Sequence, residues 1–224
     1  MANNYYDGTG VLLLDTVTPV ITALFDGYKL DPTYPGNGAA YVALIAEDNS
    51  PQWIDVRDGL EIVAKQHQLS LGDGEERSLT DLIELLATHF QTTQSSVLHD
   101  LLSNEELDNE PNLYSLFVIA QMLDDGHGLR AIEWQGCWHS SKPRLSEFGG
   151  DFFYNSRSLR LSGNSSTWLE LARTLEAALL ADELDDAARL ITQSVGRVLA
   201  GVNDTAIRVE LHERVCAMLH NSQH

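Results

Sequence analysis

The stretch HGLRAIEWQGCWHSSKPRLSEFGGDFFYNSRSLRLSG, residues 127–163, breaks the charge pattern of an otherwise acidic chain. It holds five of the 14 lysines and arginines but only three of the 33 acids, so its formal charge is +2 against −21 for the rest. It also carries six of the 17 aromatic side chains. We call residues 127–163 the basic aromatic segment. Its composition is typical either of a binding surface or of a central sheet.

Alternation within the basic aromatic segment favours the sheet. From 129 to 139 a period of two places Ile132, Trp134 and Trp138 on one face and Glu133, Gln135, Cys137 and His139 on the other. A turn at Gly149-Gly150 and further strands at 151–154 and near 158–161 complete an antiparallel meander. We therefore expect Ile132, Trp134 and Trp138 to face the core.

The residues before this segment predict strands alternating with helices. The strands are expected at 11–15 and 40–46, the helices at 16–28, 51–68, 78–90, 97–102 and 112–123, and a loop at 31–38. Thr18 with Pro19, and the capping box that begins at Ser78, mark two helix starts.

The last sixty residues predict three helices. A capping box at 167–170 is expected to begin the first of them, and Gly201 to close the second. The fold class is therefore α+β, with a small, mostly antiparallel sheet packed against amphipathic helices. A single domain over 1–224 is expected, and a division near 104–111 is the alternative.

Size and charge limit the classes of function. With 224 residues and 43% hydrophobic content, the chain can bury a sizeable core. A formal charge of −19 argues against direct binding to nucleic acid or anionic membranes. Without a secretion signal or a membrane span, a cytoplasmic protein with two free thiols is expected. The expected partner is another protein, a basic one if it is large, or a second copy of this chain.

The triplet Cys137-Trp138-His139 is compatible with metal or thiol chemistry. On a strand the two outer side chains share a face with Cβ atoms roughly 6.5 to 7 Å apart, which suits two ligands of one metal better than a thiol to imidazole hydrogen bond. A structural zinc site needs four ligands, and the chain has no CxxC or HExxH sequence. We therefore predict no metal site, no cofactor and no catalytic residue.

A small anionic ligand is the better supported prediction for a site. Hydroxyl groups and cations in a loop and the following hairpin can hold a phosphate or carboxylate, and aromatic rings can stack on a base. The residues are Ser140, Ser141, Lys142, Arg144, Arg157 and Arg160, with Trp138 and Tyr154 as the stacking rings. The alternative is that these cations neutralise the protein's own acids.

The segment from His139-Ser140-Ser141-Lys142-Pro143-Arg144 through Glu147-Phe148-Gly149-Gly150 to Phe152-Phe153 resembles a segment of uncharacterised proteins carried by bacterial plasmids and integrative elements. Residues 4–10 and 31–36 look like such proteins too. The clearest match covers about fifteen residues. The resemblance implies a genetic setting, with an accessory role such as countering host defence or assisting transfer, and no particular activity.

Together these observations predict a non-enzymatic accessory protein of a bacterial mobile element that acts by binding another protein. One alternative is a small anionic-ligand-binding protein or enzyme that uses the basic aromatic segment. Another is an acidic mimic of DNA that blocks a defence enzyme, since its charge is high, although the acids form short clusters rather than one stripe.

Overall fold

The structure, a computed structural model, describes residues 3–70, 77–91, 110–142, 144 and 147–221. Six strands and seven α-helices in this part of the chain confirm the α+β class. The strands are β1 (Asn4–Leu13), β2 (Asp31–Pro35), β3 (Ala39–Leu44), β4 (Ala131–Ser140), β5 (Gly149–Ser156) and β6 (Arg160–Asn164). The helices are α1 (Pro19–Phe25), α2 (Trp53–Gln66), α3 (Leu79–His89), α4 (Leu113–Met122), α5 (Ser165–Leu180), α6 (Leu184–Ala200) and α7 (Thr205–Asn221).

All six strands form one antiparallel sheet in the order β2-β3-β1-β4-β5-β6. The basic aromatic segment supplies β4, β5 and β6, so the predicted meander is confirmed. β1 and β4 pair along their whole length, from Asn4 opposite Ser140 to Leu13 opposite Ala131. This long pairing joins the two halves of the sheet.

One face of the sheet is buried beneath α1, α2, α3 and α4. Leu12, Val42, Ile132 and Trp134 belong to a single buried cluster that also contains apolar side chains from all four helices. The alternation predicted for β4 is confirmed at Ile132 and Trp134, which are buried while Glu133 and Gln135 are exposed. Trp138 shares the face of Trp134 but is only half-buried and lies outside the core cluster, so its expected place in the core needs correction. The other face of the sheet carries polar and aromatic side chains.

Trp134 lies flat against β1, where glycine leaves room for its ring. A Cβ atom at Gly8 would lie 2.2 Å from Cζ2 of Trp134, and one at Gly10 would lie 2.9 Å from Cε3. Real Cβ contacts are longer than either distance, so the indole can take this position only over glycine. The two glycines thus explain how a side chain of this size becomes 97% buried on a sheet surface.

A hydrogen-bonded chain holds the polar edge of the indole. Trp134 Nε1 donates to the hydroxyl of Tyr6 at 2.9 Å, and that hydroxyl donates to Oδ1 of Asp151 at 2.9 Å. Gly136 lies beneath the Tyr6 hydroxyl, since a Cβ there would be 2.1 Å from it. Burial, together with the neighbouring carboxylate of Asp151, raises the pKa of Tyr6 to about 12, although the hydrogen bond from Trp134 acts to lower it.

Two expectations for the N-terminal half need correction. The 31–38 loop contains the edge strand β2, which tolerates proline because it pairs with β3 only at Asp31 and Pro35, across an irregularity. The strand expected at 11–15 begins seven residues earlier, at Asn4. Residues 97–102, expected to be helical, lie outside the described residues, as do 104–109 of the alternative domain division.

The predicted helix starts at Thr18 and Ser78 are confirmed. Thr18 caps α1 with Pro19 in the first turn, and Ser78 and Asp81 form a reciprocal capping box on α3. The capping box expected at 167–170 is wrong. Asn164 is the actual cap of α5, and its Oδ1 accepts both the amide and the hydroxyl of Thr167.

The helices α5, α6 and α7 follow β6; α5 contacts β5 and β6, and the residues just after α6 contact the edge of the sheet. The amide of Arg160 donates to the carbonyl of Gly201 at 2.7 Å, and Leu159 forms an isolated bridge with Val202. Gly201 closes α6 as predicted. Among the described helices, none is long and apolar enough to cross a bilayer.

Replacing Gly8 with alanine should destabilise the protein, because the added methyl group overlaps the Trp134 ring. The expected loss in the free energy of unfolding is about 1 to 3 kcal/mol. Gly196→Ala in α6 is the matched control, since nothing lies within 4 Å of its new Cβ. It should instead stabilise the protein by up to about 1 kcal/mol. Urea unfolding of the three proteins measures both changes, and equal effects would contradict this packing.

Tyr6→Phe should change how stability depends on alkaline pH. Because the folded pKa of Tyr6 lies above the unfolded value of 10.0, its contribution is fully present below pH 10 and is lost as pH rises towards about 12. The variant should therefore lose less stability than wild type across that window. Near neutral pH it should be less stable by about 1 to 3 kcal/mol, because Trp134 loses a buried acceptor. The measurement is the denaturant midpoint of both proteins at several pH values between 7 and 12. The prediction is contradicted if the midpoints of the two proteins fall in parallel as the pH rises.

Candidate functional site

The predicted anion-binding residues lie at opposite ends of a strand. Ser140, Lys142 and Arg144 lie at the end where β4 leads to β5, whereas Arg157 and Arg160 lie beyond Ser156 at the other end. Eight residues of β5 separate the two groups. The seven steps from Gly149 to Ser156, at about 3.3 Å each, span roughly 23 Å. One phosphate or carboxylate cannot contact both groups, so the predicted site does not form as a unit.

Most of these cations have a partner within the protein. Arg157 donates through Nε to Oε1 of Gln121 at 2.5 Å, and the guanidinium of Arg160 lies 4.0 Å above the ring of Tyr114. Arg144 forms an ion pair with Glu147 at 3.4 Å. The pairing of Arg144 with Glu147 agrees with the alternative that cations of this segment neutralise the protein's own acids.

The remaining predicted residues are also divided. The Ser140 hydroxyl is buried and accepts the Lys142 amide at 3.4 Å, while the Ser141 hydroxyl accepts the Asn3 amide at 3.0 Å. Trp138 points to the same face as Trp134, and its ring covers Gly149. Tyr154 pairs with Glu133 and so points to the opposite face. The two rings cannot stack on the same ligand.

A different group of side chains meets on the uncovered face of the sheet. Asp7 of β1 lies directly opposite Cys137 of β4, and His139 follows two residues later on the same face. One potential ligand atom from each residue lies within 4.8 Å of the other two. Cys137 is exposed, and the side chains of Asp7 and His139 are 33% and 39% exposed. The group is therefore accessible to solvent.

Neighbouring residues orient two members of this group. Oδ1 of Asp7 accepts the amide of Ala46 at 2.7 Å, and Oδ2 lies 3.9 Å from Nδ1 of His139. The imidazole also stacks on the ring of Tyr5, with centroids 5.2 Å apart. Residues that bind a ligand are commonly oriented in this way by a second layer of neighbouring groups.

The spacing of Cys137 and His139 in the sequence suits two ligands of one metal, but the sequence analysis predicts no metal site there. It also expects Glu133 to share their face. Glu133 does lie on that face but pairs with Val11, four register positions beyond the Asp7–Cys137 pair, outside the group. Asp7 was missed because it belongs to the part of β1 that the sequence did not predict as a strand.

Exposed apolar side chains gather on the last three helices. Twelve of the 17 exposed large apolar residues in the described chain belong to α5, α6 or α7. On α6 they recur every seven residues, at Leu184, Ile191 and Val198, and each is more than half exposed. α7 has no buried side chain over its whole length. Apolar surface concentrated in this way marks an interaction site more often than scattered exposure does.

The two cysteines are free thiols, as predicted.

A cleft of about 740 Å³ opens between α5 and α6, lined by residues that include Leu169, Leu190 and Arg197. It adjoins the helices that carry the exposed apolar side chains.

No family model, curated protein or solved structure matches this chain. Function must therefore be inferred from the side chains and their surroundings.

Proposed function

We propose that the protein is a non-enzymatic interaction protein that binds another protein chain through α5, α6 and α7. The exposed apolar residues of these helices carry the proposal, because burying them against a partner releases free energy roughly in proportion to the area removed from water. We also propose an accessory role in a bacterium that carries a mobile element, which rests on the resemblance of residues 139–153 to proteins of such elements.

The heptad spacing on α6 suits a second helix as the partner. Leu184, Ile191 and Val198 form one stripe along the helix, and a stripe with a period of seven is typical of helix pairing. The stripe is also symmetric about Ile191. A two-fold axis beside Ile191 would bring Leu184 of one chain close to Val198 of a second copy.

Charge favours an antiparallel arrangement of two copies. Glu183 and Arg197 each precede a residue of the stripe, fourteen positions apart and on the same side of the helix. In an antiparallel pair each Glu183 would lie near Arg197 of the other copy, whereas a parallel pair would place these two residues at opposite ends of the helices. We therefore propose a two-fold dimer through α6 as the first assembly.

Light scattering after gel filtration tests the dimer. Wild-type protein should show twice the 24.8 kDa mass of one chain, and the mass should persist at high salt because the contact is mainly apolar. Ile191→Asp should give the monomer mass. Ile54→Asp is the matched control, since Ile54 of α2 is similarly exposed but lies outside the stripe. A monomer in wild type, or equal effects of the two variants, would contradict the proposal.

Charge reversal tests the antiparallel arrangement. Glu183→Arg or Arg197→Glu alone should weaken the dimer about three- to tenfold, because like charges then meet. The double variant should return the dissociation constant towards the wild-type value. Failure of the double variant to recover would exclude this arrangement. Sedimentation over a range of concentrations gives the constants.

A further inference from the structure

We propose that Asp7, Cys137 and His139 bind one divalent transition-metal ion of the zinc class, with solvent at the fourth position. This inference does not depend on the proposed dimer, since the group lies on the sheet and not on α5, α6 or α7. Three different side chains from two paired strands meet there, each with one ligand atom within 4.8 Å of the others.

The geometry of the sheet produces this arrangement. Cys137 and His139 are two residues apart on β4 and so share a face, and Asp7 lies across from Cys137 on β1. A tetrahedral zinc ion with bond lengths of about 2.0 to 2.3 Å holds its ligand atoms about 3.3 to 3.6 Å apart. The ligand atoms of Asp7, Cys137 and His139 lie within 4.8 Å of one another, so side-chain rotations that shorten these distances by about 1 Å would satisfy that geometry.

The chemistry of the ligand atoms selects the ion. A thiolate and an imidazole suit zinc and related ions, whereas calcium and magnesium prefer sites made of oxygen atoms. One carboxylate and one thiolate also supply two negative charges, which balance a divalent cation. The ordinary alternative is an exposed cysteine beside an Asp–His ion pair, and it explains the positions of the side chains but requires no metal affinity.

The surroundings already resemble those of a metal ligand set. Oδ1 of Asp7 is held by the amide of Ala46, which leaves Oδ2 directed towards His139. The stack of His139 on Tyr5 limits rotation of the imidazole. Because this face of the sheet is uncovered at Cys137, the fourth position is open to water or to a donor atom from another molecule. Sites with three protein ligands and one open position are typical of zinc that binds or activates a ligand.

Cobalt titration tests the site directly, because a cobalt–thiolate bond gives a charge-transfer absorption. Cys216 must first be removed, since its sulfur lies 3.9 Å from Nε2 of His212 and is a second potential thiolate site. In the Cys216→Ser protein, one equivalent of Co²⁺ should produce the thiolate band, and Zn²⁺ should displace it. Cys137→Ser in that background should abolish the band.

Two further variants test whether all three residues bind the metal or whether the Cys137 thiol binds it alone. Asp7→Asn keeps an oxygen for the Ala46 amide but loses the charge, and it should weaken Co²⁺ binding at least tenfold. His139→Gln should weaken it similarly. Glu133→Gln, an acid on the same face of β4 outside the group, should leave the affinity unchanged. Circular dichroism of each variant checks folding.

Thermal unfolding gives an independent readout. Zn²⁺ should raise the melting temperature of the Cys216→Ser protein, because a ligand that binds only the folded state stabilises it. The rise should disappear in Cys137→Ser/Cys216→Ser. A band that persists without Cys137, equal effects of Asp7→Asn and Glu133→Gln, or no metal binding at all would each overturn the proposal.

Discussion

The fold depends on the contact between Trp134 and the backbone of β1. The indole occupies space that any side chain at Gly8 or Gly10 would fill, and its ring then joins the buried cluster beneath α1 to α4. A large aromatic ring buries more surface than other side chains, so Trp134 adds a large apolar area to this cluster. The hydrogen bonds through Tyr6 to Asp151 extend the same contact to β5. Three neighbouring strands are thus fixed by one side chain.

The sequence predicted those strands and helices whose own residues show the alternation of a strand or the capping side chains of a helix. Alternation placed Ile132 and Trp134 in the core, and the side chains of Thr18 and Ser78 marked real helix starts. The first half of β1 could not be found in this way, because Asp7, Gly8 and Gly10 are poor strand formers in isolation. Gly8 and Gly10 are strand residues because Trp134, far away in the chain, packs over them, and Asp7 precedes them in the same strand. Tertiary contact overrides local propensity here.

The candidate sites show a similar division. Residues close in sequence suggested an anion site, but the connections before and after β5 lie at opposite ends of that strand. The cations there contact separate partners, namely Glu147, Gln121 and Tyr114. Residues far apart in sequence formed the compact group instead. Pairing of β1 with β4 places Asp7 beside Cys137, and a shift of one residue in that pairing would move Asp7 to the buried face. The same register places glycine beneath Trp134, so core and candidate metal group depend on one alignment.

The absence of buried side chains along α7 has a consequence for the energetics of the C-terminal helices. A helix of 17 residues gains little stability from its own hydrogen bonds in water, and most helices rely on packing. α7 should therefore open locally at a smaller free-energy cost than the sheet, and its amides should exchange hydrogen sooner. Assembly that covers α7 would slow this exchange. The C-terminal helices would then act as a cooperative unit whose order is coupled to association, while the sheet and the helices α1 to α4 retain their own stability.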